Sequence, residues 1–210
     1  MTPKVAPFQH TTFGLVDEDD VAYFGKLYTP KSNIDFPQLT SALVPIPDED
    51  IYPEWMPRNT KLTQAQETFS SDRFIQRPDL PLYDIFQDHN VLRLIQNELM
   101  EEMKAMEAMV KHPHPNIVKY HGCRVRRGRI TGFVLDWHPD TLPGCLKTNI
   151  RSVGTESIME ALESAISHIH SLGWAHNDLD SHKIMVNEQG TPVLVDFGSA
   201  REAGAEFRTG

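Results

Sequence analysis

The chain has 210 residues, of which 40% are hydrophobic and 23% charged, an ordinary composition for a globular protein. Its formal net charge of −9 argues against a broad nucleic-acid-binding or anionic-membrane surface, since both reward clustered Lys and Arg. The chain has two isolated cysteines, no signal-peptide core and no apolar run long enough to cross a bilayer. These features favour a reducing compartment, by default the cytoplasm with the nucleus as the alternative, and no membrane partner.

Residues 1–72 carry loop signals. Prolines and acidic residues recur between residues 45 and 57, and these prolines exclude a continuous helix there. Short apolar runs at 13–16 and 21–24 are compatible with strands. We expect an extended, irregular N-terminal segment that drapes over a neighbouring lobe.

A helix is predicted over 92–111, because this stretch lacks Gly and Pro and its apolar residues recur at steps of three and four. The helix must end before Pro113. Two strands are predicted next, at about 117–125 and 129–136, joined by a tight turn that contains Gly128.

A second amphipathic helix is predicted over 155–171, and Gly173 provides its stop signal. Two short apolar runs follow, at 184–186 and 193–195, and the turn sequence at 187–190 between them predicts a hairpin. Helices mixed with short strands in this order indicate an α+β protein.

Two acidic residues bracket the predicted hairpin. Asp178 precedes it and Asp196 follows it. Because a hairpin brings its two ends together, both carboxylates are expected to face one site. Paired carboxylates at such a place suit proton abstraction from a hydroxyl and the binding of Mg²⁺.

The same residues carry a resemblance to protein kinases. The sequence His-Asn-Asp-Leu at 176–179 resembles the catalytic loop of that family, and Asp-Phe-Gly at 196–198 resembles its metal-binding motif. The His-Asn-Asp form is similar to that of fungal kinase-like proteins. The resemblance covers about residues 72–203 and implies a bilobal fold. It places a small β-rich lobe, C helix and hinge at 73–138, and an incomplete helical large lobe at 139–210.

The resemblance implies a role for each matching residue. Asp178 is the base that accepts the proton of a protein Ser or Thr hydroxyl, and Asp196 is the Mg²⁺ ligand. Glu102 matches the C-helix glutamate that pairs with a strand lysine, while Glu101 and Glu107 are competing choices of register.

The hinge follows from the same comparison. Leu135 takes the gatekeeper position, and the backbone of Asp136 and His138 is offered to adenine. ATP and Mg²⁺ are the cofactors that the resemblance implies.

The small lobe departs from the family pattern in two ways. No glycine occurs between residues 58 and 76, so a Gly-rich phosphate loop is missing there. Gln76 stands where the strand lysine is expected, and Arg77 beside it would point to the other face of the strand. Gln76 keeps a hydrogen-bond donor for a phosphate but loses the charge.

The catalytic loop departs as well. Asp180 replaces a lysine and would repel a γ-phosphate, and Asn177 replaces the arginine that reads a phosphorylated activation loop. Lys183 replaces the metal-binding asparagine; an ammonium group cannot ligate Mg²⁺ but could place a positive charge beside the transferring phosphate.

The sequence ends at Gly210, before the helices that complete the large lobe in the family. We therefore expect a fragment, a truncated gene model or a degenerate paralogue. In such a chain the apolar faces of the 155–171 helix and of the catalytic loop are expected to be uncovered.

Three functional hypotheses follow. The first is a protein-kinase-like phosphotransferase that uses ATP and Mg²⁺. The second is a pseudokinase, a nucleotide-binding or scaffolding module, favoured by Gln76, Asp180 and Lys183. The third is a small-molecule kinase of the aminoglycoside or choline type, which Phe197 and Gly198 after Asp196 disfavour.

Overall fold

The computed structural model describes residues 8–56, 61–68, 70–148 and 154–204. It shows a mixed fold of helices and small antiparallel sheets, which confirms the predicted α+β class. The first elements in chain order are β1 (Thr11–Val16), β2 (Ala22–Leu27), α1 (Phe36–Ala42), β3 (Val44–Pro45), α2 (Asp48–Ile51), β4 (Arg73–Gln76), α3 (Tyr83–Asp88) and α4 (Arg93–Lys111).

The remaining elements follow a tight turn after α4. They are β5 (Tyr120–Arg126), β6 (Arg129–Asp136), β7 (Asp140–Thr141), α5 (Leu142–Thr148), α6 (Thr155–Ser171), β8 (Trp174–Ala175), β9 (Ile184–Val186), β10 (Pro192–Leu194) and β11 (Arg201–Glu202). Both long helices and both predicted hairpins are therefore confirmed. Within the described ranges, no helix combines the length and apolarity needed to cross a bilayer.

The N-terminal segment differs from its prediction. We expected residues 1–72 to be extended and irregular, but β1, β2 and β3 form an antiparallel sheet, with α1 and α2 beside it. The prolines are accommodated at element ends, where no intrahelical amide is needed: Pro47 is the N-cap of α2, and Pro45 lies in the two-residue edge strand β3.

This sheet shares a core with the start of helix α4. The buried members of that core are Ala22, Ile46, Ile51, Tyr52, Leu80, Tyr83 and Ile95. The Gln96 side chain also donates to the Glu49 carbonyl oxygen at 2.5 Å. The N-terminal segment is thus joined to the helix that carries Glu102.

A buried charge cluster ties the same segment to the central sheet. Asp20 is fully buried, and its carboxylate lies 2.5 Å from Arg77 and 2.6 Å from Arg124. Thr131 donates to the same carboxylate at 3.2 Å. Because Arg77 is held here, its guanidinium does not compensate for the missing charge at Gln76.

The central sheet has the order β4-β6-β5. Its β5–β6 turn places Arg127 and Gly128 at φ values of +49° and +73°, the left-handed conformation that Gly adopts without strain. Helix α4 packs on this sheet through Leu99, Met103 and Met106, which are 0–4% exposed. These contacts fix the helix that borders the candidate site.

The second half of the chain holds the β9–β10 hairpin against α6. Leu194 and Ile169 are buried in the main core, and Val195 packs against it. Several apolar side chains of this half are exposed, among them Leu146 at 60%, Met159 at 62% and Leu179 at 49%. Met159 on α6 and Leu179 in the loop after Asp178 lie where uncovered apolar surface was expected, whereas Leu146 lies on α5, for which no such expectation was made.

Candidate functional site

The two carboxylates that bracket the hairpin meet at one ammonium group. Lys183 Nζ lies 3.0 Å from Asp196 Oδ2 and also contacts Asp178 Oδ2. Both carboxylates are about half exposed, with side-chain exposures of 48% and 50%, whereas that of Lys183 is 19%. The structure therefore brings Asp178, Asp196 and Lys183 together at a solvent-accessible place.

The local backbone explains how Lys183 reaches both acids. It ends a short 3-10 turn, Ser181–Lys183, whose N-cap Asp180 accepts a hydrogen bond from the His182 N–H at 2.6 Å. The Lys183 carbonyl accepts from the Val195 N–H at 2.9 Å, which ties it to the residue before Asp196. Burial alone lowers the pKa of Lys183, but the hydrogen bonds to Asp178 and Asp196 raise it above its ordinary value.

Residues on either side of the acids hold the loop in place. His176 is buried, its ring lies 5.0 Å from that of Phe197, and its Nε2 lies 3.1 Å from the Val195 carbonyl oxygen. Asn177 donates to the Ser199 carbonyl at 3.2 Å. These contacts join the segment before Asp178 to the segment around Asp196 and set the distance between the two acids.

Glu102 lies at the inner end of the site. Its side chain is buried and accepts a hydrogen bond from the Phe197 N–H at 3.1 Å, so it holds the residue next to Asp196. Burial, assisted by the nearby charge of Asp196, raises the pKa of Glu102 to about 7. The two other register choices point elsewhere: Glu101 pairs with Lys104 at 2.6 Å, and Glu107 accepts from the Thr63 side chain at 3.1 Å.

Strand β4 presents alternate residues to the cleft. Phe74 and Gln76 both line a cavity that Glu102 and Asp196 also line. The Phe74 side chain is 47% exposed. Gln76 is thus at the site, as its register predicted, and Phe74 is a lining residue that the sequence analysis missed. Its position two residues before Gln76 is the signal that could have revealed it.

A cavity of about 280 Å³ opens beside these residues at the end of β6. Apolar side chains provide much of its wall, and its polar lining comes from the acidic residues, Gln76 and His138. Its lining residues are Phe74, Gln76, Glu102, Val118, Leu135, Asp136, Trp137, His138, Met185, Val195 and Asp196. A concave, largely apolar pocket with a few polar groups is typical of small-molecule sites.

The two residues expected at the hinge, Asp136 and His138, have different surroundings. The Asp136 carboxylate lies 2.6 Å from His121 Nε2 and 3.1 Å from Arg73. The backbone N–H of Asp136 donates to the Lys119 carbonyl at 3.0 Å. The carboxylate and N–H are therefore engaged within the protein. Burial lowers the pKa of His138, which favours the neutral imidazole in the cavity wall.

Asp196 presents a carboxylate that could hold a Mg²⁺ ion. Mg²⁺ is commonly held by one or two carboxylates together with substrate phosphates and water, and the half-exposed Asp196 offers such a carboxylate. Lys183, in contrast, brings an ammonium group between the acids. Over the described ranges, no group of three or more His, Cys, Asp or Glu side chains is arranged to hold a metal by protein ligands alone.

A central antiparallel sheet, a packed helix with an inward glutamate and two carboxylates at one cleft are features that protein kinases share. The family model described as "Protein kinase domain" matches residues 85–208, more than half of the chain. The chain therefore belongs to the protein kinase domain family.

Curated relatives agree with this assignment. The chain is similar to "Serine/threonine-protein kinase SSK22" of Saccharomyces cerevisiae, with 29% identity over 129 residues, 58% of this chain and 9% of that protein. It is 34% identical over 118 residues to "Serine/threonine-protein kinase PknK" of Mycobacterium tuberculosis, covering 53% of this chain and 10% of that protein. The chain thus spans about a tenth of the length of these relatives.

Proposed function

We propose that this chain is the nucleotide-binding part of a protein-kinase-like phosphotransferase that transfers phosphate from ATP to a Ser or Thr hydroxyl of a protein. The observation that carries this proposal is the convergence of Asp178, Asp196 and Lys183 at one accessible place. Asp196 also lines the cavity of about 280 Å³ that would take the base of the nucleotide. Relatives whose names describe serine/threonine kinases support the choice of acceptor.

Each side chain has a separate task in this proposal. Asp178 accepts the proton of the acceptor hydroxyl, for which its half-exposed carboxylate is accessible. Asp196 would hold Mg²⁺, which when bound offsets the charge of the phosphate oxygens. Lys183 adds a positive charge beside the transferring phosphate. Glu102 acts through the Phe197 N–H and thereby positions the neighbouring Asp196.

A pseudokinase is the second candidate, and two specific observations favour it. Gln76 replaces the charged residue expected to grip the phosphates. Glu102 has turned to the Phe197 backbone, which is 3.1 Å away, rather than to a strand lysine. A protein with these features would bind the nucleotide but would transfer its phosphate poorly.

A thermal-shift titration tests nucleotide binding. ATP with Mg²⁺ at 100 times the dissociation constant should stabilise the full chain by about 2.7 kcal/mol. Asp196→Asn should remove the Mg²⁺-dependent part of that shift. Asp88→Asn, a change at an exposed residue of α3, should leave it intact. Absence of any shift with the unaltered protein rejects both the phosphotransferase and a nucleotide-binding pseudokinase.

Transfer itself needs a second measurement. Radiolabelled phosphate transfer to a generic protein acceptor should fall by roughly 10²- to 10⁴-fold in Asp178→Asn, the range for a lost general base. Nucleotide binding should survive this substitution. If the unaltered chain binds nucleotide but transfers no phosphate above the Asp178→Asn background, the pseudokinase is the correct alternative.

A further inference from the structure

The position of Lys183 has a consequence for how the site holds charge. An ammonium group has three N–H donors and no acceptor. In the described part of the chain, its ion-pair partners are Asp178 and Asp196, which occupy two of those donors. The third donor remains for an oxygen of a bound phosphate. Lys183 can therefore contact both acids and the nucleotide at once.

The family pattern would place a different kind of charge here. In protein kinases two Mg²⁺ ions are held by the Asp of Asp-Phe-Gly and by the catalytic-loop asparagine. In this chain the asparagine position is Lys183, which cannot be a ligand, and its ammonium lies 3.0 Å from Asp196. A second divalent ion between the acids would have to displace this ammonium and then lie beside it.

Charge balance gives the same result. Lys183 cancels one of the two carboxylate charges, so one divalent ion is sufficient to give the group of Asp178, Asp196 and Lys183 a net positive charge. The lysine is also held in place, because its carbonyl is tied to Val195 and its side chain is only 19% exposed. A fixed cation costs less to use than one that must be bound from solution.

We propose that the Lys183 ammonium replaces one of the two metal ions, so that this site binds a nucleoside triphosphate with a single divalent cation. This inference rests on the proposed function, because it requires that a nucleotide binds in the cleft. It assigns Lys183 as a phosphate-binding residue and predicts the metal stoichiometry of the complex.

Counting bound Mn²⁺ by electron paramagnetic resonance tests the proposal directly. The full chain is saturated with the β,γ-imido analogue of ATP, and bound Mn²⁺ is measured per bound nucleotide. We expect one Mn²⁺ for the unaltered protein and two for Lys183→Asn, which restores an oxygen ligand. Lys104→Asn is the matched control, since Lys104 also forms a short ion pair, at 2.6 Å with Glu101, but on an exposed helix face.

Nucleotide affinity gives an independent readout. When Mg²⁺ is raised from the amount that saturates the nucleotide to a large excess, the affinity of the unaltered protein should change by less than twofold. The affinity of Lys183→Asn should rise roughly tenfold, because a second ion then supplies the missing charge-assisted contacts. Lys104→Asn should behave as the unaltered protein does.

The outcomes separate the two proposals. Two Mn²⁺ per nucleotide in the unaltered protein overturn the single-metal inference and leave the proposed function standing, and this count decides the matter even if Lys183→Asn does not fold. Tighter nucleotide binding by Lys183→Asn at limiting Mg²⁺ also overturns it, since the lysine would then block the site. No nucleotide binding by the unaltered protein overturns both.

Discussion

Replacing the buried Asp20 by alanine should destabilise the N-terminal sheet and the central sheet to which this residue ties it. The carboxylate is fully buried and lies 2.5 Å from Arg77 and 2.6 Å from Arg124. Removing one partner of a buried ion pair leaves uncompensated charge in a poorly solvated place and costs about 3–5 kcal/mol. For a chain of this size we expect the melting temperature to fall by about 10 °C.

The assay is urea denaturation at pH 7, followed by tryptophan fluorescence. The matched control is Glu101→Ala, because Glu101 and Lys104 form an ion pair of 2.6 Å whose side chains are 42% and 55% exposed. An exposed helical pair of this kind contributes only about 0.3–0.5 kcal/mol. A loss below about 1 kcal/mol in Asp20→Ala would refute the reasoning, because burial would then not distinguish the two pairs.

The same carboxylate predicts an acid limit. Burial alone would raise the pKa of Asp20, but the guanidinium groups of Arg124 and Arg77 hold it below its ordinary value. A group with a lowered pKa stabilises the fold above the pKa it has in the unfolded chain, and that contribution is lost as pH falls through the lowered value. Asp20→Ala should therefore lose less stability on acidification than the unaltered protein.

Three further predictions concern the helix and the cleft. The pKa of Glu102 is raised to about 7, so this group should cost stability as pH rises from about 4.5 through 7. Glu102→Gln should therefore be more stable than the unaltered protein at pH 8 but not at pH 4. An equal pH dependence of the two urea midpoints would contradict this. Phe74→Ala should weaken adenosine binding roughly tenfold in calorimetry, because base–aromatic stacking is lost. The binding of Mg²⁺-tripolyphosphate should not weaken. If both ligands bound more weakly, Phe74 would act by supporting the strand instead. Met103→Ala should lower the free energy of unfolding by about 2–5 kcal/mol in urea denaturation. Met159→Ala, at a 62% exposed position, should change it little. Similar losses for the two variants would show that α4 is not the packed helix described above.

The elements that the sequence predicted are those determined by local pattern. Helix α4 was expected at 92–111 and occurs at Arg93–Lys111, because its apolar period sets one face over five turns. The β9–β10 hairpin was expected from two apolar runs and a turn. In both cases the residues that determine the element are neighbours in the chain.

The N-terminal sheet could not be predicted in the same way. Its strands depend on contacts that lie far apart in the chain, such as Asp20 with Arg124 and Ala22 with Ile95 in one core. The acidic run at 17–20 indicates a solvated loop, and only the two arginines that lie against Asp20 make its burial favourable. Tertiary contacts therefore overrode the local signals.

The site was predictable by residue type but not by arrangement. The two acids on either side of a hairpin indicated their convergence, and the structure places both at Lys183. That one ammonium would bridge them depends on the 3-10 turn at Ser181–Lys183, which no sequence period reveals. The hydrogen bond that Glu102 accepts from the Phe197 N–H likewise depends on two things together, the missing lysine and the burial of the Glu102 side chain.

The shared core of the N-terminal sheet and helix α4 bears on where this domain begins. The family pattern starts at residue 85 and so divides a hydrophobic cluster that contains Ala22 and Tyr52 on one side and Ile95 on the other. A protein shortened to the family boundaries would expose that apolar surface to water and lose the buried carboxylate that pairs with Arg124. The unit that folds, and that any expression or domain-exchange experiment must preserve, includes the segment that family comparison leaves out.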